Sequence, residues 1–125
     1  MKRGLSPTQR TIRALKEQGV MCAIVEKFNS FVGEHGIRQD LFGIIDIVAL
    51  DTQKGVRGIQ CCGADYKKHC DKLLNEKTPE TIAWLETPST TLEIWSWRKI
   101  KLKRGGLAMR WQQKIRIITL EDFEG

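Results

Sequence analysis

One acidic residue lies within an otherwise apolar run, and its chemistry is the most informative feature of the chain. Asp46 falls inside the run over residues 44–50, and Gln60 follows in a second apolar run over residues 58–62. An ionised carboxylate in a strand that is apolar on both faces costs several kcal/mol unless a cation, a proton or a strong donor compensates it. An aspartate and a glutamine on neighbouring strands offer the oxygen ligands that hard divalent cations prefer. The pattern therefore indicates a metal-dependent phosphodiesterase.

The predicted elements place these two residues in the middle of a sheet. Ser6, Pro7 and Gly19 are typical of the start and the end of a helix. The runs that contain Asp46 and Gln60 are apolar on both faces, which favours central strands. The sequence predicts helices over residues 7–18, 64–75 and from 78 to about 85, strands over residues 20–25, 44–50, 56–62, 91–100 and 109–119, and a loop over residues 29–39.

Size and charge limit the classes of protein that fit. The chain has 125 residues, of which 41% are hydrophobic, and this predicts a single domain over residues 1–125. The net charge is +6, and residues 94–120 contain eight Lys or Arg and no acid, which favours a polyanionic partner. The sequence has no signal-peptide pattern and no apolar run of about 20 residues, which predicts a cytoplasmic protein with no membrane partner.

The four cysteines predict reduced thiols rather than a disulfide framework, since two of them are adjacent within a predicted strand. Four residues of types that can bind zinc lie within a ten-residue segment: Cys61, Cys62, His69 and Cys70. Adjacent strand residues point to opposite faces, so Cys61 and Cys62 are not expected to share one tetrahedral ion. The sequence also contains no Cys-x₂-Cys pair, so we do not expect a structural zinc site.

Three segments of the chain resemble the PD-(D/E)XK nuclease superfamily, and the pattern is similar to archaeal-type Holliday-junction resolvases and small phage-type nucleases. Residues 8–25 resemble the first helix and strand of these nucleases, residues 45–50 the aspartate strand, and residues 58–62 the (D/E)-x-K strand. The similarity covers roughly residues 6–75. It implies an α/β fold with a restriction-endonuclease-like αβββαβ core over about residues 6–100, in which a central mixed β-sheet is flanked by helices. It also implies a protein encoded by a bacterium or a phage.

The resemblance assigns roles to the residues of the predicted site. Asp46 would be the metal-binding aspartate, Gln60 would take the acidic position, and the backbone carbonyl of Cys61 would be a further metal ligand. Glu26 and Asp40 are additional candidates for the same site. The implied cofactor is Mg²⁺ or Mn²⁺, and Mg²⁺ tolerates a glutamine in place of a carboxylate because it keeps several waters and binds phosphate oxygens of the substrate. The implied reaction is metal-assisted hydrolysis of a phosphodiester.

Two positions depart from the nuclease pattern. Gln9 stands where the first helix usually carries a glutamate, and Cys62 stands where the motif has its lysine. A neutral thiol cannot orient the attacking water or offset charge on the phosphate as an ammonium does. The helix over residues 64–75 offers replacements, of which we favour Lys72, with His69 as a second catalytic candidate.

The segment over residues 95–111 interleaves aromatic residues with cations around Gly105 and Gly106, which predicts a basic β-hairpin over about residues 91–119. Its cations are expected to contact phosphates without reading bases. Its tryptophans are expected to stack on unpaired bases or to cover the core, and the core is favoured for at least two of them. The predicted nucleic-acid-binding residues are Arg38, Lys68, Lys99, Lys101, Lys103, Arg104 and Arg110.

The sequence leaves two functions in competition. The first is a Mg²⁺-dependent DNA endonuclease that selects a branch, a junction or a single strand rather than a base sequence. The second is a catalytically silent nuclease-fold module that binds nucleic acid. A third and unrelated option is an interaction protein, such as a host-factor inhibitor, that uses the basic face. Junction resolution would need two symmetry-related sites, so a homodimer is an open alternative.

Overall fold

A mixed five-stranded β-sheet forms the centre of the protein, in a computed structural model that describes residues 4–31 and 33–124. The predicted α/β class with a central mixed sheet is confirmed. Within the described residues, no helix is long and apolar enough to cross a membrane. The elements are, in chain order, α1 (Pro7–Glu17), β1 (Met21–Ile24), β2 (Lys27–Asn29), β3 (Ile37–Gln39), β4 (Ile47–Asp51), β5 (Gly55–Cys62), α2 (Tyr66–Asp71), a π-helical turn (Lys72–Glu76), α3 (Thr78–Glu86), β6 (Thr90–Lys101), β7 (Met109–Ile118) and a 3₁₀ turn (Leu120–Phe123).

The strand order in the sheet is β1-β4-β5-β6-β7. β4 pairs antiparallel with both β1 and β5, β5 and β6 are parallel, and β7 returns antiparallel to β6. A parallel pair needs a crossover connection, which α2, the π-helical turn and α3 provide. β2 and β3 form a separate antiparallel ribbon. The strand that carries Gln60 is therefore the middle strand of the sheet.

The two faces of the sheet bury separate apolar clusters. Leu15 of α1 packs with Ile47 and two tryptophans in one cluster, and Leu73 of the π-helical turn packs in the other. Full burial of a side chain of this size contributes about 1.5–3 kcal/mol. Cys61 belongs to the first cluster and Cys62 to the second, so their side chains point to opposite faces as predicted.

The loop predicted over residues 29–39 is wrong at both ends. Lys27–Asn29 and Ile37–Gln39 pair as β2 and β3, while Val32 lies outside the described residues. Gly36 has a φ of 77°, and a Cβ there would lie 2.5 Å from the Phe28 ring, so glycine is required at this turn. The two strands have three residues each and are mostly exposed, so they carry no apolar alternation from which the sequence could predict them.

The strand predicted over residues 44–50 begins later, at Ile47. The residues before it turn tightly, since Phe42 and Gly43 both have a positive φ, of 56° and 75°. A short apolar run occurs both in strands and in buried turns, so periodicity alone does not predict where β4 begins. The turn brings the aspartate that precedes it close to Asp46.

The helix predicted over residues 64–75 is shorter and ends differently. It is α-helical over Tyr66–Asp71 and continues as the π-helical turn, in which the Lys77 N–H donates to the Lys72 carbonyl at 2.8 Å. Leu73 in this turn is completely buried, and Lys72 is half-buried. π-helical turns are rare and frequently lie at functional sites, and a 3.6-residue period does not predict them.

Candidate active site

Three carboxylates converge beside the middle strand, and we call them the acidic cluster: Glu26, Asp40 and Asp46. Glu26 follows β1, Asp40 follows β3 and Asp46 immediately precedes β4. One oxygen of each carboxylate lies within 4.8 Å of the others. Asp46 is only 4% exposed, and the other two residues are partly buried. The structure thus brings together three residues that the sequence analysis named for one site.

Asp46 is held by donors from β5. Its Oδ2 accepts the Cys61 N–H at 2.8 Å and the Gln60 Nε2–H at 3.0 Å. Burial raises the pKa of Asp46 to about 9, and the hydrogen bond with Asp40 and the charge of Asp40 add to this rise, whereas the Cys61 N–H opposes it. Asp46 therefore carries a proton at neutral pH, which explains how an aspartate is accommodated in an apolar run.

Asp40 keeps its charge beside the protonated Asp46. Burial acts to raise the pKa of Asp40, but hydrogen bonds with Asp46, Lys72 and Gln60 outweigh burial and hold the pKa below its ordinary value. Lys72 Nζ donates to Asp40 Oδ2 at 2.6 Å. The two aspartates therefore share one proton and one lysine cation.

Gln60 bridges the aspartates to Lys72 and is completely buried. Lys72 Nζ donates to Gln60 Oε1 at 3.1 Å. A lysine ammonium has only donors, so the amide oxygen must face Lys72 and the amide nitrogen must face the aspartates. Nε2 lies 3.1 Å from Asp40 Oδ2 and 3.0 Å from Asp46 Oδ2. In this arrangement Gln60 donates to the acidic cluster, and its role as an oxygen ligand stays a prediction.

Lys72 reaches the acidic cluster from the crossover, whereas Cys62 lies on β5 where the nuclease resemblance predicts a lysine. Cys62 is 3% exposed, and burial, with a smaller contribution from the charge of Asp65, raises the pKa of its thiol to about 12. The thiol is therefore neutral at physiological pH. Lys72 supplies an ammonium group at the acidic cluster, as the sequence analysis expected of a replacement for the missing lysine.

His69 contacts Gln60 rather than a carboxylate of the acidic cluster. Its Nδ1 lies 3.1 Å from Gln60 Oε1, and its Nε2 lies 3.1 Å from Asp65 Oδ2. His69 is a predicted catalytic residue, and the structure connects it to the aspartates only through the Gln60 amide. Its direct effect is therefore to orient Gln60.

An open cleft of about 690 Å³ leads to Glu26, and its walls come from the start of α1 and from β3. Arg38 lines this cleft and donates to Glu26 at 3.2 Å. Arg38 is predicted from the sequence only as a nucleic-acid contact, so its pair with Glu26 was not foreseen. The Arg38 side chain is 73% exposed, which leaves much of its guanidinium accessible from the cleft.

The remaining predicted nucleic-acid contacts lie away from the acidic cluster, on the surface. Trp95 and Trp97 are buried, which confirms the core role predicted for two tryptophans. Trp111 is 39% exposed, and the Arg10 guanidinium lies 3.7 Å above the centre of its ring. The exposed cations are Lys68 on α2, Lys99 and Lys101 on β6, Lys103 and Arg104 in the connection, and Arg110 on β7.

A second group of potential metal ligands adds Asp65 to two residues that the sequence offered as zinc ligands, and we call it the Cys62 cluster: Cys62, Asp65 and His69. One ligand atom of each residue lies within 4.8 Å of the others. The sequence contains no Cys-x₂-Cys pair, which was the signal sought for zinc. The available signal was the spacing of Asp65 and His69, since residues four apart share one face of a helix.

A scan against protein-family models, a search of curated proteins and a search of solved structures each find no match to this chain. The resemblance to the PD-(D/E)XK nucleases therefore stays a prediction from the sequence.

Proposed function

We propose that the protein is a metal-dependent endonuclease that hydrolyses phosphodiester bonds of DNA and selects DNA structure rather than base sequence. The observation that carries this proposal is the contact of Lys72 with the acidic cluster, since Lys72 Nζ lies 2.6 Å from Asp40 and 3.1 Å from Gln60 Oε1. An ammonium beside buried carboxylates combines a charge that can stabilise a phosphate with oxygen ligands for a hard cation. Cys62, at the motif position, offers no such charge.

The order of the elements supports a restriction-endonuclease-like core. α1, β1, β4, β5, α2 and β6 follow one another as a helix, three antiparallel strands, a helix and a parallel strand, with the β2–β3 ribbon between β1 and β4. This order agrees with the αβββαβ core that the resemblance implies. Under this proposal β6 and β7 form a basic hairpin at the end of the core.

The acidic cluster fits Mg²⁺ or Mn²⁺, because its three carboxylates place oxygens within 4.8 Å of one another and both ions prefer oxygen ligands. Asp46, Asp40 and Glu26 would hold the ion, with the Cys61 carbonyl as a further ligand that the resemblance implies. Gln60, which the resemblance also implies, would have to turn its amide oxygen from Lys72 towards the ion. When bound, the ion would polarise the scissile phosphate and lower the pKa of a bound water.

The chain's own residues carry the remaining steps. Lys72 would place its ammonium against the charge that develops on the phosphate. Gln60 keeps Lys72 beside Asp40 by accepting an N–H from Lys72 and donating to both aspartates. Asp46 must release its proton before it can act as an anionic ligand. The acidic cluster therefore reaches its full negative charge only when a cation binds.

The distribution of cations supports DNA as the partner. Arg38 lies at the cleft beside Glu26, and the cations of β6, β7 and their connection are exposed. Such side chains bind phosphates without reading bases, so selectivity would come from the shape of the DNA. The proposal places the protein in the cytoplasm of a bacterium or of a phage host, and a homodimer is the arrangement that junction resolution would need.

The charge balance of the acidic cluster favours a second candidate, a catalytically silent nuclease-fold module that binds nucleic acid. Glu26 pairs with Arg38, Asp40 pairs with Lys72, and Asp46 carries a proton. The acidic cluster and its two cationic partners thus carry no net charge without a metal. A divalent cation must displace the proton on Asp46 and compete with Arg38 and Lys72. In this alternative the neutral cluster has a structural role and the basic surface holds the nucleic acid.

The two candidates differ in their dependence on metal. The purified protein would be incubated with supercoiled plasmid, single-stranded DNA and a four-way junction, with Mg²⁺, with Mn²⁺ or with EDTA. We expect metal-dependent cleavage that is lost in Asp46→Asn and in Lys72→Met. Lys67→Met is the matched control, because Lys67 is an exposed lysine of α2 outside the acidic cluster.

Cleavage that persists in Asp46→Asn would remove the acidic cluster from the reaction and overturn the endonuclease proposal. Absence of cleavage together with salt-sensitive binding that ignores EDTA would establish the silent module instead. Loss of cleavage in Lys67→Met as well as in Lys72→Met would show that positive charge on α2 and the π-helical turn, rather than the contact with Asp40, matters.

A further inference from the structure

We propose that Cys62, Asp65 and His69 form a second metal site, for a zinc-class divalent cation, separate from the acidic cluster. A thiolate, an imidazole and a carboxylate are the three ligand types that zinc takes in proteins. One ligand atom of each residue already lies within 4.8 Å of the other two. This inference is independent of the proposed nuclease function, since it rests on different residues and on softer ligands.

The backbone explains why these residues meet. Cys62 is the last residue of β5, and Gly63 and Ala64 turn the chain so that Asp65 directly precedes α2. His69 is four residues further along, on the same face of the helix as Asp65. The end of β5, the following turn and one face of α2 therefore bring three potential metal ligands to one point.

The contacts of His69 direct its Nε2 towards Asp65, beside Cys62. Lys72 fixes the orientation of the Gln60 amide, so Gln60 Oε1 can only accept, and His69 Nδ1 at 3.1 Å must donate its hydrogen. His69 Nε2 lies 3.1 Å from Asp65 Oδ2, which is also an acceptor. A contact of this length between an imidazole nitrogen and a carboxylate oxygen fits an ion pair, and it also fits two ligands of one metal ion. With Nδ1 protonated and held by an amide oxygen, Nε2 is the nitrogen that a metal-binding histidine offers.

Cys62 distinguishes a metal from a proton. A proton between His69 and Asp65 would complete an ordinary ion pair and would need no third partner. Cys62 is 3% exposed and places its sulfur beside both groups, where it adds a soft ligand that a proton does not use. On binding, the Cys62 S–H bond breaks, a sulfur–metal bond forms and the proton goes to solvent, with no change in oxidation state. Three protein ligands leave a fourth position for water or another ligand.

The test uses Co²⁺ as a spectroscopic probe of the metal-free protein. We expect a near-ultraviolet charge-transfer band that reports a thiolate–cobalt bond and that Zn²⁺ abolishes by competition. The band should be absent in Cys62→Ser and unchanged in Cys22→Ser, which removes a cysteine of β1 outside the cluster. It should also persist in Asp46→Asn, which separates this site from the acidic cluster. Absence of the band in the wild type, or its survival in Cys62→Ser, would overturn the proposal.

A second pair of variants keeps the test decisive if Cys62→Ser, a buried substitution, unfolds the protein. Asp65→Asn and His69→Gln change side chains that are 53% and 21% exposed. Loss of an outer-shell partner typically costs roughly 10–100-fold in metal affinity, so loss of a ligand should weaken Co²⁺ binding by at least about 10-fold. Asp71→Asn, at the exposed end of α2, is the control. Unchanged Co²⁺ affinity in both variants would assign the contact between Asp65 and His69 to a proton and overturn the metal site.

Discussion

Two buried acids of this chain are compensated in different ways. Glu93 is 4% exposed and accepts hydrogen bonds of 2.7 and 2.9 Å from Arg57. Asp46 is also 4% exposed, but it faces Asp40 and keeps a proton instead of a cationic partner. A carboxyl group whose pKa lies far above its ordinary value responds to pH and to metal, which a bidentate arginine pair does not.

The proton on Asp46 predicts how stability depends on pH. The pKa of Asp46 is about 9 in the folded protein against 3.8 for an ordinary aspartate, so between these values the folded state binds a proton that the unfolded state lacks. The stabilisation is complete below the unfolded pKa and is lost as pH rises towards 9, with a slope on the order of 1 kcal/mol per pH unit. Asp46→Asn should flatten this slope, since the amide can also accept from Cys61 and donate to Asp40. Urea unfolding of both proteins between about pH 5 and about pH 9 would measure it.

Asp46→Asn should also differ from the wild type in its free energy of unfolding at alkaline pH. Asp46→Asn should be the more stable protein at alkaline pH, where the wild type must either keep a proton or bury a second charge. Parallel pH profiles for the two proteins would show that Asp46 is ionised at neutral pH and would contradict the prediction.

The convergence of Asp46, Gln60 and Lys72 was predictable from the sequence, but the proton on Asp46 and the orientation of Gln60 were not. The sequence shows an aspartate in an apolar run and a lysine on the following helix. The orientation of the Gln60 amide and the proton on Asp46 depend instead on contacts among β4, β5 and the π-helical turn. The spacing of residues along the sequence does not predict those contacts.

At the scale of the elements, the π-helical turn determines which side chain reaches the acidic cluster. It buries Leu73 in the core and presents Lys72 to Asp40 and Gln60. The strands β4 and β5 were predictable because burial on both faces produces continuous apolar runs. The π-helical turn and the β2–β3 ribbon were not, because neither has a regular apolar period.

Lys72→Met should separate metal binding from catalysis. The substitution removes the cation that pairs with Asp40, so the acidic cluster becomes more negative and should bind Mn²⁺ several-fold more tightly. Cleavage should nevertheless fall by about 10²–10³-fold, the range for loss of one electrostatic contact to the transition state. Titration calorimetry with Mn²⁺ would be compared with cleavage rates, with Lys67→Met as control. Weaker Mn²⁺ binding in Lys72→Met would contradict the assigned role.

The docking of α1 on the sheet depends on one buried hydroxyl. Thr11 Oγ1 accepts the Trp97 Nε1–H at 2.9 Å and donates to the Pro7 carbonyl at 2.8 Å. Thr11→Val has a similar shape but leaves the indole N–H without a partner, which should lower the free energy of unfolding by about 1–3 kcal/mol. Chemical denaturation would measure the loss, and Thr52→Val in an exposed turn should change stability by less than about 0.5 kcal/mol. Equal stabilities of Thr11→Val and wild type would show that α1 docks by apolar packing alone.

At the scale of the whole molecule, charge is divided between two regions. The three carboxylates of the acidic cluster are balanced by Lys72, Arg38 and a proton. The net charge of +6 therefore comes largely from elsewhere, and residues 94–120 supply eight cations without an acid. A polyanion is attracted to such an excess, so under the proposed nuclease function DNA affinity should come from β6, β7 and their connection while the acidic cluster contributes chemistry.

Lys101→Gln combined with Lys103→Gln tests this division. If each lysine contacts a phosphate, the slope of log affinity against log salt concentration should become shallower by roughly 0.9 per lost contact on duplex DNA, and affinity should fall alike for unrelated sequences. The control combines Lys16→Gln with Lys54→Gln, two exposed lysines of α1 and of the turn after β4, which lowers the net charge equally. Fluorescence anisotropy over a range of salt concentrations measures both slopes. Equal slopes for the two pairs would mean that net charge attracts the DNA and that β6 and β7 hold no particular phosphate.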